Sequence, residues 1–447
     1  MSSSRSAVSA ILRTAVWGLC LALSQIAHAT LPIESWTLPN GARVLFVENR
    51  ALPMLDVSVD FPAGSSRDEP ATSGLAGMTV ALMRLGTQSL DEAGVAAELA
   101  DVGAQMSSRF DSDRGGYGLR TLSSAKERER ALSVLASVLQ SPTFPADILE
   151  REKSRLAAAL KEADSKPETI AQRAFSTAVY QSHPYGLRGS GELSTLGRLT
   201  ASDLQAFHQR WFRSDWAVVA LMGDISREEA DAVARRLTER LPRAEEPLPS
   251  LPAVEDLAAP VQRVIDHPAS QSHILVGQPG ITRTDPDYFP LFVGNYILGG
   301  GGFASRMVEE VRQKRGLAYS SYSYFSPLEQ RGVFQIGLQT KKEQAAQALE
   351  VVRDTVARFV AEGPTPAELE AAKMNLVGGF PLRIDSNKKI HDYLGLIGFY
   401  RLPLDYLDRF VENIESVSVE QVRDAFRRRV NPDRMVTVVV AGAVPQK

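Results

Sequence analysis

Cysteine is almost missing. The 447-residue chain holds one, Cys20, close to its N-terminus. A single thiol excludes a disulfide framework, so the fold has to be held by its core. No apolar run beyond the N-terminal region is long enough for a membrane-spanning helix. No charge of either sign dominates. The formal net charge is −3, which gives no basic footprint for nucleic acid. Histidine is scarce as well. After His28 come only His183, His208, His267, His273 and His391, and no two are three or four residues apart. A zinc pair on one helix turn is therefore not available, although His267 and His273 could meet across a strand pair. The glycine run Gly299 to Gly302 has no G-x-x-x-x-G-K-S/T frame, so it is not a phosphate loop and reads as a flexible connection between helices.

What is present begins with a leader. Arg5 and Arg13 precede a mostly apolar stretch with Trp17, Leu19, Leu21 and Leu23, and Ala27-His28-Ala29 is an A-x-A cleavage site. Residues 1–29 read as a signal peptide, with Thr30 as the mature N-terminus. Trp17-Gly18-Leu19 is a poor context for lipid attachment at Cys20. Removing the leader takes the charge to −5 and removes the only cysteine. An exported chain without retention or anchor signals at Val444-Pro445-Gln446-Lys447 is expected in a bacterial periplasm.

The rest reads as two similar halves, residues 30–241 and 260–447, joined by residues 242–259. That junction carries Pro242, Pro247, Pro249 and Pro252 and reads as an extended linker. Ser141-Pro142-Thr143 introduces a long helix, and Gly363-Pro364-Thr365 introduces another 222 residues later. The strand-like run Trp216 to Gly223 has its counterpart in Met435 to Gly442. A repeat this long means two domains, not a solenoid. Strands and helices are grouped without strict alternation, so the expected class is α+β, each half an antiparallel sheet faced by helices. Arg427-Arg428-Arg429 reads as a solvated basic helix end favoured by the helix dipole.

The most informative stretch is Ser305 to Tyr319. Phe303, Met307, Val308 and Val311 recur at helical spacing, Gly316 ends the helix, and Leu317 to Phe325 alternates as a strand with Tyr319, Tyr322 and Tyr324. Arg312 lies on the flank of the apolar stripe, seven residues before Tyr319. Two readings are open on pattern alone. In one, a snorkelling arginine and a strand tyrosine do nothing but pack. In the other, a guanidinium and a phenol offer fixed donors to a carbonyl or oxyanion.

From Asn295 through Leu298, Gly299, Gly300, Ser305, Arg306, Arg312, Gly316, Leu317 and Ala318 to Tyr319, the chain resembles the second-half motif of the pitrilysin/insulinase family of zinc peptidases, the inverzincins. The resemblance implies a fold of two α+β halves. It also implies that Arg312 and Tyr319 bind the substrate backbone and assist zinc-bound chemistry. In catalytic members a first-half helix carries H-x-x-E-H, two histidines one turn apart with a glutamate that activates metal-bound water. Here the preceding loop is kept as Gly64-Ser65-Ser66-Arg67-Asp68-Glu69-Pro70. The motif itself reads Gly77-Met78-Thr79-Val80-Ala81. Gly77 and Ala81 stand at the histidine positions and Val80 at the glutamate. Alignment through Glu150-Arg151-Glu152 puts the distal ligand position on Ala159. The helix is expected to survive as buried scaffold, with a mid-helix glycine tolerated for close packing.

In two-chain members of that family one chain carries the zinc motif and the other the arginine–tyrosine pair. The resemblance therefore implies a non-catalytic subunit of a heterodimeric periplasmic zinc peptidase. It would hold no cofactor of its own, bind peptide, and work with a homologous H-x-x-E-H partner that carries the zinc. The alternative is a non-enzymatic scaffold or peptide-binding protein of the same fold.

Overall fold

The computed structural model describes residues 32–441, so the expected leader 1–29 lies outside the described residues. Alternating apolar runs set a first sheet of six strands. They are β1 (Glu34–Thr37), β2 (Arg43–Glu48), β3 (Met54–Phe61), β4 (Gln105–Phe110), β5 (Gly115–Leu122) and β6 (Val218–Gly223), in the order β1-β2-β6-β3-β5-β4. The second sheet has β7 (Val261–Ile265), β8 (Gln271–Pro279), β9 (Ala318–Ser326), β10 (Val333–Lys341) and β11 (Val436–Val440), in the order β7-β11-β8-β10-β9. Without β1, the two orders are the same, so the duplication is written in the topology as well as in the sequence.

The expectation of purely antiparallel sheets needs correcting. β2 pairs with β6 in parallel, Arg43 opposite Val218, and β7 pairs with β11 in parallel, Val261 opposite Val436. In each repeat the last strand returns from a long helical excursion and inserts between the first two long strands. A crossover of that length is what a parallel pair requires.

Each sheet is covered on one face by its own helices, and on the other by a helix from the opposite repeat. The helix Pro167–Tyr180 belongs to the first repeat but lies on the second sheet. There Ala171, Phe175 and Val179 pack with Leu275, Val436, Val438 and Val440. The helix Asn387–Phe399, starting 220 residues later, lies on the first sheet. Its Leu394 and Ile397 pack with Leu45, Val47, Val218, Ala220 and Met222. Two glycines permit these contacts. A Cβ on Gly277 would stand 2.9 Å from the Phe175 ring, and one on Gly398 would stand 2.6 Å from Leu45 and Val218. The chain from Ile33 onward is accordingly one compact unit.

The exchange explains why β3 is buried on both faces. Leu55, Val57, Val59 and Phe61 enter the first core, while Asp56, Ser58 and Asp60 face the visiting helix. Arg109 donates to Asp60 (2.8 Å) and to Asp392 of that helix (3.2 Å), and Arg120 forks onto Asp56. At the other end of the seam, Asp113 is buried and accepts from Tyr185, from Tyr400 (2.7 Å) and from the Glu329 main chain (2.8 Å). Burial pushes the Asp113 carboxyl up against these donors. One carboxylate thus ties three segments from both repeats.

Residues 242–259 form neither helix nor strand. Leu251, Val254 and Leu257 are buried, and main-chain carbonyls along the segment are held by Arg67 (Pro249), His183 (Pro252) and Arg331 (Val254). The basic helix end is not simply solvated: Arg428 and Arg429 pair with Asp287, Arg429 also with Asp285, and Arg427 donates to helix-terminal carbonyls.

Four of the five histidines are main-chain donors. His183, His208, His267 and His391 each give Nε2–H to a carbonyl, of Pro252, Leu139, Ser165 and Ala220 respectively. His208 is buried and stacked on Phe212, and burial lowers its pKa to about 4 despite the carbonyl. A depressed histidine contributes stability that is complete above its unfolded pKa of 6.5 and is lost as pH falls through about 4. Between those values His208→Gln is expected to flatten the loss of stability by an amount on the order of 3 kcal/mol, measured by urea unfolding at each pH. An unchanged slope would show that His208 is already charged in the fold. The exchange makes its own prediction. Phe175→Ala is expected to cost about 3–5 kcal/mol, with tryptophan fluorescence, whose described reporters Trp36, Trp211 and Trp216 all lie in the first repeat, still melting together with circular dichroism. Two separated transitions would mean that the repeats fold independently.

Candidate functional site

The helix Leu75–Leu82 occupies the place of the expected zinc motif. It is positioned by the loop before it. Asp68 is buried, and its carboxylate accepts from the main chain of Gly74 and Ala76, both at 2.8 Å. Desolvation raises Asp68 to about 7 in spite of these bonds. Arg67 stacks 4.6 Å over Trp211 and donates to Pro62 and Pro249. The loop is therefore architecture for the helix entry.

The helix is buried except along the strip that carries Gly77 and Ala81. Ala76, Met78, Thr79, Val80 and Leu82 are inside, Gly77 is half-buried and Ala81 is exposed. Val80 points into the core, where its carbonyl accepts from the Tyr117 hydroxyl. Ala159, on the helix Ala146–Ala163, is exposed. At Gly77 a Cβ would stand 2.6 Å from the Gly189 carbonyl oxygen and 3.2 Å from the Phe110 ring. The glycine gives up about 1 kcal/mol of helix propensity relative to alanine, and this close approach is the reason. The Gly189 carbonyl thus occupies the space that a side chain at Gly77 would need. Among the described residues no three His, Cys, Asp or Glu side chains are placed to share a metal.

The second half of the motif separates into scaffold and display. Asn295 and Ser323 exchange hydrogen bonds of 3.0 and 2.7 Å, tying the end of the helix Tyr288–Asn295 to β9. A Cβ on Gly299 would stand 2.6 Å from the Ser323 nitrogen, so this glycine is required by packing. Gly299 to Gly301 are close-packed, not a flexible connection; only Gly302 combines a positive φ of 58° with open space. Ser305 is buried and bonds the Gly302 carbonyl. Arg306 forks onto Glu368 with two bonds of 2.7 Å. Burial pulls Glu368 upward, but Arg306 and the Thr365 cap hold it down at about 2.

Arg312 and Tyr319 make no such bonds. The Val308–Gln313 segment winds in wide π-type turns, with Lys314 N–H reaching the Glu309 carbonyl. Gly316, at φ 63°, then turns the chain into β9. Met307, Val308 and Val311 are buried as their spacing implies. Phe303 is not: it is 71% exposed, and the Arg312 guanidinium lies 4.8 Å over its ring. The glycine run breaks the helical register before Phe303, and that break was the available signal. Tyr319 is 84% exposed. It sits in a bulge, because Ser321 pairs with Leu338 while Ala318 pairs with Thr340, leaving Tyr319 and Ser320 opposite Gln339. Bulges re-aim side chains, and two consecutive exposed residues result. Among the described residues no hydrogen bond or ion pair engages either side chain, and none joins the two. One turn of backbone places both at the same corner, at the start of an edge strand. Along that strand Tyr322 and Tyr324 stack at 6.0 Å, and a cleft of about 530 Å³ runs between them, Tyr296, Gly299 and Arg383.

Residues 43–190 match the family described as insulinase (peptidase family M16), and residues 198–376 match the peptidase M16 inactive domain. A crystal structure of a peptidase M16 inactive domain from Pseudomonas fluorescens is 38% identical, with a TM-score of 0.89 over 93% of this chain and 99% of that one. A Bacillus subtilis protein described as an uncharacterized zinc protease is 25% identical over 91% of this chain and 98% of its own length. A Helicobacter pylori protein described as a non-peptidase homolog is 27% identical over 98% and 99%.

The filled position leads to an expected failure. Gly77→His, Val80→Glu and Ala81→His combined should not yield a zinc-loaded chain, because the Gly189 carbonyl blocks the first histidine and Val80 faces the core. Metal analysis after dialysis would detect the opposite result, one tightly held zinc per chain.

Proposed function

This chain belongs to the insulinase family of peptidases, family M16, and from that membership we propose that it is the zinc-less subunit of a two-chain zinc peptidase. Its part is to hold a peptide for a homologous partner that carries H-x-x-E-H and the metal. The supporting observation is a contrast. The positions where a zinc site would stand are blank or filled, while Arg312, stacked on Phe303, and the exposed Tyr319 make no side-chain hydrogen bond or ion pair among the described residues at the head of an edge strand.

Chemically, the pair suits an extended peptide. A strand with an unpaired edge takes a peptide by main-chain hydrogen bonding, and the tyrosine-lined cleft beside it accepts side chains. The Arg312 guanidinium, held by the Phe303 ring, and the Tyr319 hydroxyl supply hydrogen-bond donors. Aimed into the partner's metal site, they would stabilise the oxyanion that develops as water attacks the scissile carbonyl. Export through the leader to the periplasm, where both chains would meet, is part of this reading. No described helix is long and apolar enough to cross a membrane.

The test is reconstitution. The purified chain alone is expected to leave peptides intact, and mixing with an H-x-x-E-H homologue from the same cell should give cleavage. Arg312→Ala and Tyr319→Phe should each lower the rate of the pair by about 10²–10³ if each supplies one oxyanion donor, with co-purification unchanged. Full rates in both variants would sink the mechanism and favour a scaffold role.

A further inference from the structure

A second cleft, of about 600 Å³, opens at the seam of the two repeats and does not include Arg312 or Tyr319. Its walls carry three arginines. Arg43 comes from β2 of the first repeat. Arg283, and Arg401 just past the helix Asn387–Phe399, come from the second. Among the described residues none of the three is ion-paired. Arg43 donates only to the Gly398 carbonyl (3.2 Å) and Arg283 to the Pro327 carbonyl (2.9 Å). The Arg283 Nε is buried without a partner, and its guanidinium lies 5.4 Å over the Tyr400 ring. Arg401 is exposed, makes no hydrogen bond, and has a positive φ of 53°. Two acids also line the cleft: Asp215, which accepts from the Ala244 main chain, and Glu329, whose pKa is raised by burial.

Burial, and then repulsion from Arg401, lowers the pKa of Arg43. Three guanidinium groups against two carboxylates leave the cleft with an excess of positive charge, which favours the arrival of an anion. Guanidinium groups are the side chains best shaped for carboxylate or phosphate oxygens. The rings of Trp216 and Phe399 line the same space and offer flat apolar area. The volume lies within the range of small-ligand pockets.

We propose that this cleft binds a small organic anion with a planar ring, its carboxylate or phosphate head held by Arg43, Arg283 and Arg401 and its ring laid against Trp216 and Phe399. Because the walls belong to both repeats, the bound anion clamps the seam, and occupancy raises the stability of the whole chain by mass action. The site stands apart from peptide handling, so failure of the reconstituted peptidase leaves it intact.

The test is calorimetric titration of the full chain with phenyl phosphate, benzoate and inorganic phosphate. Saturable one-to-one binding of a ring-bearing anion is expected, at least about tenfold tighter than inorganic phosphate. Phenyl phosphate above benzoate identifies a phosphate head, and the reverse identifies a carboxylate. Arg401→Gln, an exposed change with no bond to lose, should weaken the better ligand at least about tenfold with an unaltered unfolding midpoint in its absence. Arg283→Lys should also weaken it. The proposal is overturned by absence of saturable binding, by affinity equal to that of inorganic phosphate, or by unchanged affinity in both variants.

Discussion

Two exchanged helices hold this molecule together. An apolar sheet face exposed to water costs free energy, and each repeat's own helices leave one such face uncovered. Pro167–Tyr180 closes the second sheet and Asn387–Phe399 closes the first. The cost of exposing either face is the transfer free energy of side chains such as Phe175, Leu394 and Ile397. The two repeats therefore form one compact unit despite a clear sequence boundary between them. The segment 242–259 follows from the same constraint. It spans two bodies that cannot separate, so it is packed down along its length.

The exchange also governs where polar groups lie. Asp56, Ser58 and Asp60 alternate with apolar residues on β3, a pattern that normally marks a solvent face. Here that face meets a helix, and the acids are neutralised by Arg109 and Arg120. Asp113, Tyr185 and Tyr400 do the same at the other end of the seam. Charged and hydroxyl pairing of this kind fixes which helix docks and in what register, since a shifted helix would leave buried groups unpaired.

The corner bearing Arg312 and Tyr319 is built by equally local contacts. Asn295, Gly299, Ser305 and Arg306 are spent on tying the glycine run, the π-type turn and β9 together. What they tie down is a platform on which two side chains are left unbonded. At the other motif the reverse has happened. The helix and its Asp68 cap persist, while Gly189 takes the volume at Gly77. The frame of both motifs is present, with Arg312 and Tyr319 on one and Gly77, Val80 and Ala81 on the other.

The repeat, the strand and helix content, the residues at the zinc-motif positions and the glycine turn at Gly316 between Arg312 and Tyr319 were legible in the sequence. All of these rest on local periodicity, on turn chemistry or on residue identity at a spacing, which act over a few positions. Tertiary structure alone decided the parallel pairs, because insertion of β6 and β11 depends on crossovers of many residues. It alone decided the exchange of helices, since an apolar stripe does not name the sheet it will cover. It alone put Phe303 under Arg312, Tyr319 in a bulge, the Gly189 carbonyl against Gly77, and three unpaired arginines in one cleft. Those are contacts between segments distant in sequence or set by register, and no spacing along the chain encodes them.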